Sequence, residues 1–145
     1  MIDDVVFNKL ASIERSVRRA RDEYAAAAGN FATDFTRQDA AILNIQRACE
    51  AALDVAVHVV RRERMGWVQS AREAFSLLEQ AGWIPPDIAE SMKRMIGYRN
   101  VAVHDYQALQ LPITIDVIEH RLDEFLRFGR KLMERERGRS GEPLG

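Results

Sequence analysis

Apolar residues recur along most of this chain at the spacing of helices buried on one side. Val6, Leu10, Ile13, Val17, Ala20 and Tyr24 follow one another in alternating steps of four and three. That spacing predicts one stripe of a helix over about Asp3 to Ala28, with Arg15, Arg18, Arg19 and Asp22 on its other face and Gly29-Asn30 as its stop. From Ala40 to Val60 the apolar residues run nearly all round, as expected of a helix at the centre of a bundle. Thr36 is placed as its N-cap, with Asp39 three residues on, and Arg61-Arg62-Glu63-Arg64 and Gly66 close it. Ser70 and Glu73 form an S-x-x-E capping box for a third helix, which buries Ala74, Phe75 and Leu78 and stops before Gly82. Pro85-Pro86-Asp87 opens a fourth, whose inner stripe of Ile88, Met92 and Met95 continues in phase to Arg99. A fifth begins near Thr114, after Pro112, and turns Ile118, Leu122, Phe125 and Leu132 inward.

No segment alternates convincingly as a strand would. The pattern therefore predicts an all-α, up-and-down bundle of about five helices joined by short loops. Periodicity fades from about Glu134 into a charged, Gly-rich end, so the bundle domain is set at residues 1–137 and residues 138–145 are expected to be a disordered tail.

Composition narrows the class. At 145 residues, 47% of them hydrophobic and 30% charged, the chain reads as one ordinary globular domain able to bury a core. The acidic start, Met1-Ile2-Asp3-Asp4, is unlike a signal peptide, and the longest apolar run, Val55 to Val60, is far short of a membrane span and contains His58. A single cysteine, Cys49, forms no internal disulfide and reads as a small buried residue; a reducing cytoplasm fits. With one Cys and three separated His, no zinc spacing is present, and neither a metal nor a cofactor is expected. A net charge of −1 argues against a general nucleic-acid coat protein. It leaves room for a nuclease with local cation clusters, such as Arg15, Arg18, Arg19 and Arg21, or Arg61, Arg62 and Arg64, or Lys93, Arg94 and Arg99, although solvated helix faces are the usual role of such runs.

The candidate chemistry is concentrated in Arg99-Asn100-Val101-Ala102-Val103-His104-Asp105-Tyr106. Arg is a planar, permanent cation that can grip two phosphate oxygens at once, and His can move a proton near neutral pH. Tyr, with an ordinary pKa of about 10, suits hydrogen-bond donation or modification better than base catalysis. These groups suit phosphodiester chemistry without a metal. On an unbroken helix Arg99 and Tyr106 fall within about 20° of each other, while His104 lies about 140° from Arg99. One straight helix cannot aim both Arg and His at one phosphate. Either the helix unwinds or kinks after Gly97, or two copies of the motif meet across a dimer interface. A plainer reading also exists: Arg and His near a helix end can serve the last carbonyls and the helix dipole, and Tyr106 can be a core residue. His58 reads as a core or interface residue and His120 as solvated. Trp67 and Trp83 lie beside loops, where packing is commoner than base stacking. Asp39 and Glu50 on the second helix are candidates for orienting the catalytic groups.

The pattern R-x-x-x-x-H-x-Y, with Asn directly after the Arg, resembles the signature of the HEPN superfamily of small helical ribonucleases, and in particular its HepT-type toxins. Asp34 to Glu50 and the Gly82-Trp83-Ile84-Pro85 turn are similar to that family too, and the likeness spans roughly residues 1 to 137. The resemblance implies a metal-independent endoribonuclease and a two-fold homodimer whose paired motifs line one cleft. Arg99 and His104 would be catalytic, and Asn100 would position substrate. It further implies a partner, a minimal nucleotidyltransferase antitoxin that transfers AMP to Tyr106. The substrate would be RNA, whether tRNA or mRNA. A rival from another class is a non-catalytic helical partner or substrate-binding subunit of a nucleotidyltransferase, which would share the bundle and cleave nothing.

Overall fold

Each predicted apolar stripe lies on a helix that buries it. The computed structural model describes residues 1–141, and no strand occurs among them. In chain order the helices are α1 (Asp4–Ala26), α2 (Phe35–Arg62), α3 (Ala71–Gln80) and α4 (Pro86–His104). A single 3-10 turn, Tyr106–Ala108, leads to α5 (Leu111–Asp116), which runs through a widened π turn (Val117–Arg121) into α6 (Leu122–Ser140). These last three segments form one continuous helical stretch, so the architecture is the five-helix bundle that the sequence predicts.

Side-chain pairs along the helices fix their directions. Lys9–Asp54 at 3.0 Å and Glu23–Arg37 at 2.7 Å show α1 and α2 to be antiparallel. Asp87–Arg127 at 2.9 Å and Tyr98–Thr114 at 3.0 Å set α4 against α5 and α6 in the same way. Four long elements thus close an up-and-down ring, with the short α3 packed on α2 and α4. Phe75 of α3 meets Phe128 of α6 edge-on, with centroids 5.7 Å apart, and both are fully buried with Ile45, Leu78, Met92 and Phe125. Each such side chain contributes about 1.5–3 kcal/mol of transfer free energy. α2 takes the central place predicted for it: its buried residues run from Ala41 to Val60.

The helix ends differ in places from the sequence reading. Asp34, not Thr36, caps α2, because its carboxylate accepts from the Arg37 amide at 3.1 Å and the helix already begins at Phe35. Ser70 does cap α3, accepting from the Glu73 amide at 3.3 Å. The last long helix starts at Leu111 rather than Thr114, since Pro112 is accommodated in its first turn. It continues to Ser140, past the expected boundary at 137; residues 142–145 of the expected tail lie outside the described residues.

The extension has a physical cause. Glu136, fully buried, receives both terminal nitrogens of Arg62 at 3.0 and 2.7 Å and a third bond from Arg139 at 3.0 Å. Arg62 also reaches Asp3, which stands 2.7 Å from His58 Nε2. Arg62 is therefore the centre of a part-buried ionic network rather than a solvated face. Its guanidinium also lies 5.7 Å from the ring of buried Trp83, with Arg135 at 5.8 Å. Trp83 is thus a packing residue, whereas Trp67 is exposed.

Candidate active site

The motif occupies the C-terminal end of α4 and the turn beyond it. Gly97 does not break the helix: the backbone stays helical through His104 and leaves it only at Asp105 (φ −151°, ψ 60°). The unwinding after Gly97 proposed as one remedy for the motif's geometry therefore does not occur before Asp105. Val101, Val103, His104 and Asp105 all rank low in helix propensity, which suits an end at this point. Tyr106 consequently falls outside α4, in the 3-10 turn, and the helical-face relation to Arg99 expected from the sequence does not hold. Its place is set by a tertiary bond.

That bond runs to α2. The Tyr106 hydroxyl donates to Asp39 Oδ1. At the other end of the motif, Arg99 Nε lies 3.3 Å from Glu50 Oε1, within ion-pair range but outside hydrogen-bond alignment. Asp39 and Glu50 are eleven residues apart, so on α2 they lie within about 20° of one face and about 16 Å apart along the axis. Two carboxylates of one helix thus tie down the two ends of the motif on its antiparallel neighbour. The eleven-residue interval was the signal in the sequence that could have joined them.

Between these pairs the surface is open, with half-buried Gln46 in line with Asp39 and Glu50 on α2 and two large apolar side chains exposed. Leu43 on the same face of α2 and Val103 on α4 are each 43% exposed, and Tyr106 is 44% exposed. His104 is exposed, and its imidazole has no hydrogen bond or ion pair among the described residues. Arg99 is largely buried along its stem, and Glu50 is its one polar partner among the described residues. Among the described residues, neither terminal amino group of its guanidinium has a hydrogen bond or ion pair. Asn100 is half-buried beside it. A cavity of about 380 Å³ flanks the motif between α4 and α5, lined by Tyr98, Val101, Leu109 and Ile113. The larger concavity, about 790 Å³ between α1 and α6, lies away from these groups.

Local environment shifts the titration of Tyr106 and of Cys49 beneath the motif. Partial desolvation and the bond to Asp39 push the Tyr106 phenol up to about 12. Complete burial pushes the Cys49 thiol well above its ordinary range, and Sγ is 3.5 Å from the Met95 carbonyl, so this cysteine is a packing residue. His58 is committed to Asp3, and His120 is solvated. Among the described residues, no three His, Cys, Asp or Glu side chains converge in a way that could hold a metal ion. No helix among them is long and apolar enough to cross a membrane.

Residues 13–132 match the Ribonuclease HepT-like family. The mRNA nuclease HepT of Shewanella oneidensis is 42% identical over 127 residues, covering 88% of this chain and 95% of that protein. The chain belongs to the HepT-like ribonuclease family. Its fold agrees closely with the solved structure of a tri-AMPylated HEPN toxin from Shewanella oneidensis in complex with its MNT antitoxin: the TM-score is 0.86 at 41% identity, over 91% of this chain and 98% of that one. A toxin–antitoxin structure with AMP-PNP gives the same score at 40% identity, over 90% of this chain and 98% of the other. The cytosolic protein YutE of Bacillus subtilis, of unknown function, shares the fold alone, at 15% identity and a TM-score of 0.73 over 93% and 94% of the two chains. As a HepT-like ribonuclease, the chain carries its R-x-x-x-x-H-x-Y motif on the exposed end of α4 and the turn beyond it, away from the concavity between α1 and α6.

Proposed function

We propose that this HepT-like ribonuclease is the toxin of a toxin–antitoxin pair and cuts RNA as a two-fold homodimer. The carrying observation is that Arg99 and His104 sit on one unbroken helix, with His104 exposed and without a polar partner among the described residues, Arg99 paired through Nε with Glu50, and exposed Val103 beside them. Five helical residues set their side chains about 140° apart, so a single phosphate is served by two motifs more readily than by one. The apolar strip of Leu43 and Val103 between the polar pairs suits contact with a second copy.

RNA carries its own nucleophile, the 2′-hydroxyl. In the proposed reaction one His104 takes the proton of that hydroxyl and the His104 of the second copy protonates the departing 5′-oxygen. Arg99 balances the charge that builds on the phosphorane oxygens, with Glu50 holding its guanidinium in place through Nε. Asn100 positions the phosphate or the imidazole. Products are a 2′,3′-cyclic phosphate and a 5′-hydroxyl, and DNA, lacking the 2′-hydroxyl, is not cut. The Shewanella relative is named an mRNA nuclease, which makes mRNA the first substrate to test.

The AMPylated relative bound to its antitoxin supports a matching form of control here. A minimal nucleotidyltransferase would transfer AMP to Tyr106. Each AMP brings a negative phosphodiester and a bulky base to a surface meant for RNA phosphate, and excludes substrate by charge and volume. The test is RNA cleavage by the purified protein in the presence of EDTA. The parent cuts and His104→Ala does not, while circular dichroism shows both folded. Cleavage by His104→Ala at the parental rate would end this mechanism.

A further inference from the structure

Of the three tyrosines, Tyr98 is buried and bonded to the neutral Thr114 hydroxyl, and Tyr24 pairs with Glu119 beside Phe31. Tyr106 alone belongs to the motif, and its phenol proton is already directed at a carboxylate, Asp39. Asp39 is exposed near the start of α2 and, unlike Glu50, Asp54 and Asp3, has no cation paired with it among the described residues. A carboxylate whose one partner is the hydroxyl to be modified meets the first requirement of a general base, which is to be in hydrogen-bond reach of the proton it removes.

We propose that Asp39 is the proton acceptor in the transfer of a nucleotide to Tyr106, so that the chain supplies the base for its own silencing. The inference rests on the reading of Tyr106 as the AMP acceptor. In the step, Tyr106 Oη attacks the α-phosphorus of ATP held by the nucleotidyltransferase. The Oη–P bond forms and the bond from the α-phosphorus to its bridging oxygen breaks. The electron pair leaves with pyrophosphate, and the phenol proton passes to the Asp39 carboxylate and from there to water. A phenol held near 12 is ionised in only about one molecule in 10⁵ at pH 7, so transfer through preformed phenolate is slow and removal of the proton during attack is where a base acts. Once the ester forms, Asp39 loses its donor and faces a new anion, which loosens the Tyr106–Ala108 turn.

The experiment follows AMP incorporation into Tyr106 by intact mass and peptide mapping. It uses purified nucleotidyltransferase, ATP and Mg²⁺, with all chains in a His104→Ala background. That background removes toxicity and the imidazole two residues away. The groups left around the phenol are Asp39 from α2, which accepts its hydrogen bond, and, from α4, Tyr98, kept protonated by burial. Asp39→Asn should slow transfer at least about tenfold near neutral pH, with the deficit shrinking as pH rises, and Asp39→Glu should restore most of the rate. Antitoxin capture should be unchanged. Transfer by Asp39→Asn at the parental rate overturns the proposal, as does a pH-independent deficit accompanied by lost antitoxin binding. If the Asp39-containing parent takes AMP elsewhere or not at all, the assignment of Tyr106 itself falls, a result seen without any Asp39 variant.

Discussion

Arg99 and His104 share one unbroken stretch of α4, and the five-residue step between them sets their side chains about 140° apart. If the two histidines of a dimer act on one phosphate, they are not interchangeable with a single intact motif. A heterodimer of parent and His104→Ala subunits, purified through two different tags, should then retain far less than half of the parental cleavage rate. Retention of about half would mean that each subunit works alone.

Leu43 and Val103 carry the exposed apolar strip between the two polar pairs. Val103→Asp, or Leu43→Asp, should convert the proposed dimer to a monomer in light scattering and abolish cleavage. Neither should unfold the bundle: an exposed surface substitution seldom costs more than about 0.5 kcal/mol, and an acid in the last turn of α4 adds roughly 0.3–1 kcal/mol. A variant that remains dimeric and active would place the interface elsewhere.

Arg99→Lys keeps the charge and loses the planar fork. An ammonium cannot grip two phosphate oxygens, so kcat should fall about hundredfold, the scale of losing one transition-state donor. Single-turnover cleavage of a short RNA, with KM compared between the two proteins, checks this. An effect confined to KM would make Arg99 a ground-state contact instead.

Tyr106→Phe removes the acceptor oxygen and the bond to Asp39 together. If Tyr106 is chiefly the site of control, the variant should cleave RNA at close to the parental rate and gain no AMP mass when incubated with the nucleotidyltransferase. A loss of about tenfold in rate, worth roughly 1.4 kcal/mol, would instead make the phenol a donor in the cleavage step.

Glu136→Ala should lower the melting temperature by roughly 10 °C or more. It leaves Arg62 part-buried without its bidentate partner, a loss of about 3–5 kcal/mol by comparison with other broken buried pairs. The network also sets an acid limit on the fold. The hydrogen bond from His58, with help from Arg62, holds the Asp3 carboxyl well below the usual range. Burial pushes Glu136 up, but bonds from Arg62 and Arg139 outweigh it and leave that carboxyl lowered too. Both groups bind protons more tightly in the unfolded chain. Their stabilisation is therefore complete above the ordinary carboxylate range and lost as pH falls through it toward the depressed folded values. Melting curves should show the parent losing stability below about pH 5 and the Glu136→Ala variant losing less over the same interval.

Helical periodicity determined the bundle directly. The stripe from Val6 to Ala20, the burial of Ala74, Phe75 and Leu78, and the cap at Ser70 are local facts, because a helix satisfies its own backbone and leaves packing to one face. The octapeptide at Arg99 was legible for the same reason: its residues are contiguous and their chemistry is intrinsic. What the sequence could not fix is where helices end and which charges meet. Whether α4 kinks at Gly97 or continues to His104, and whether Tyr106 stays on its face, depends on competition between weak helix formers and the bond to Asp39, 67 residues away. Glu136 looked like part of a frayed tail and is fully buried, because Arg62 arrives from another helix to neutralise it. Charges and turn ends were decided in three dimensions, since their energy depends on partners that the sequence does not place side by side.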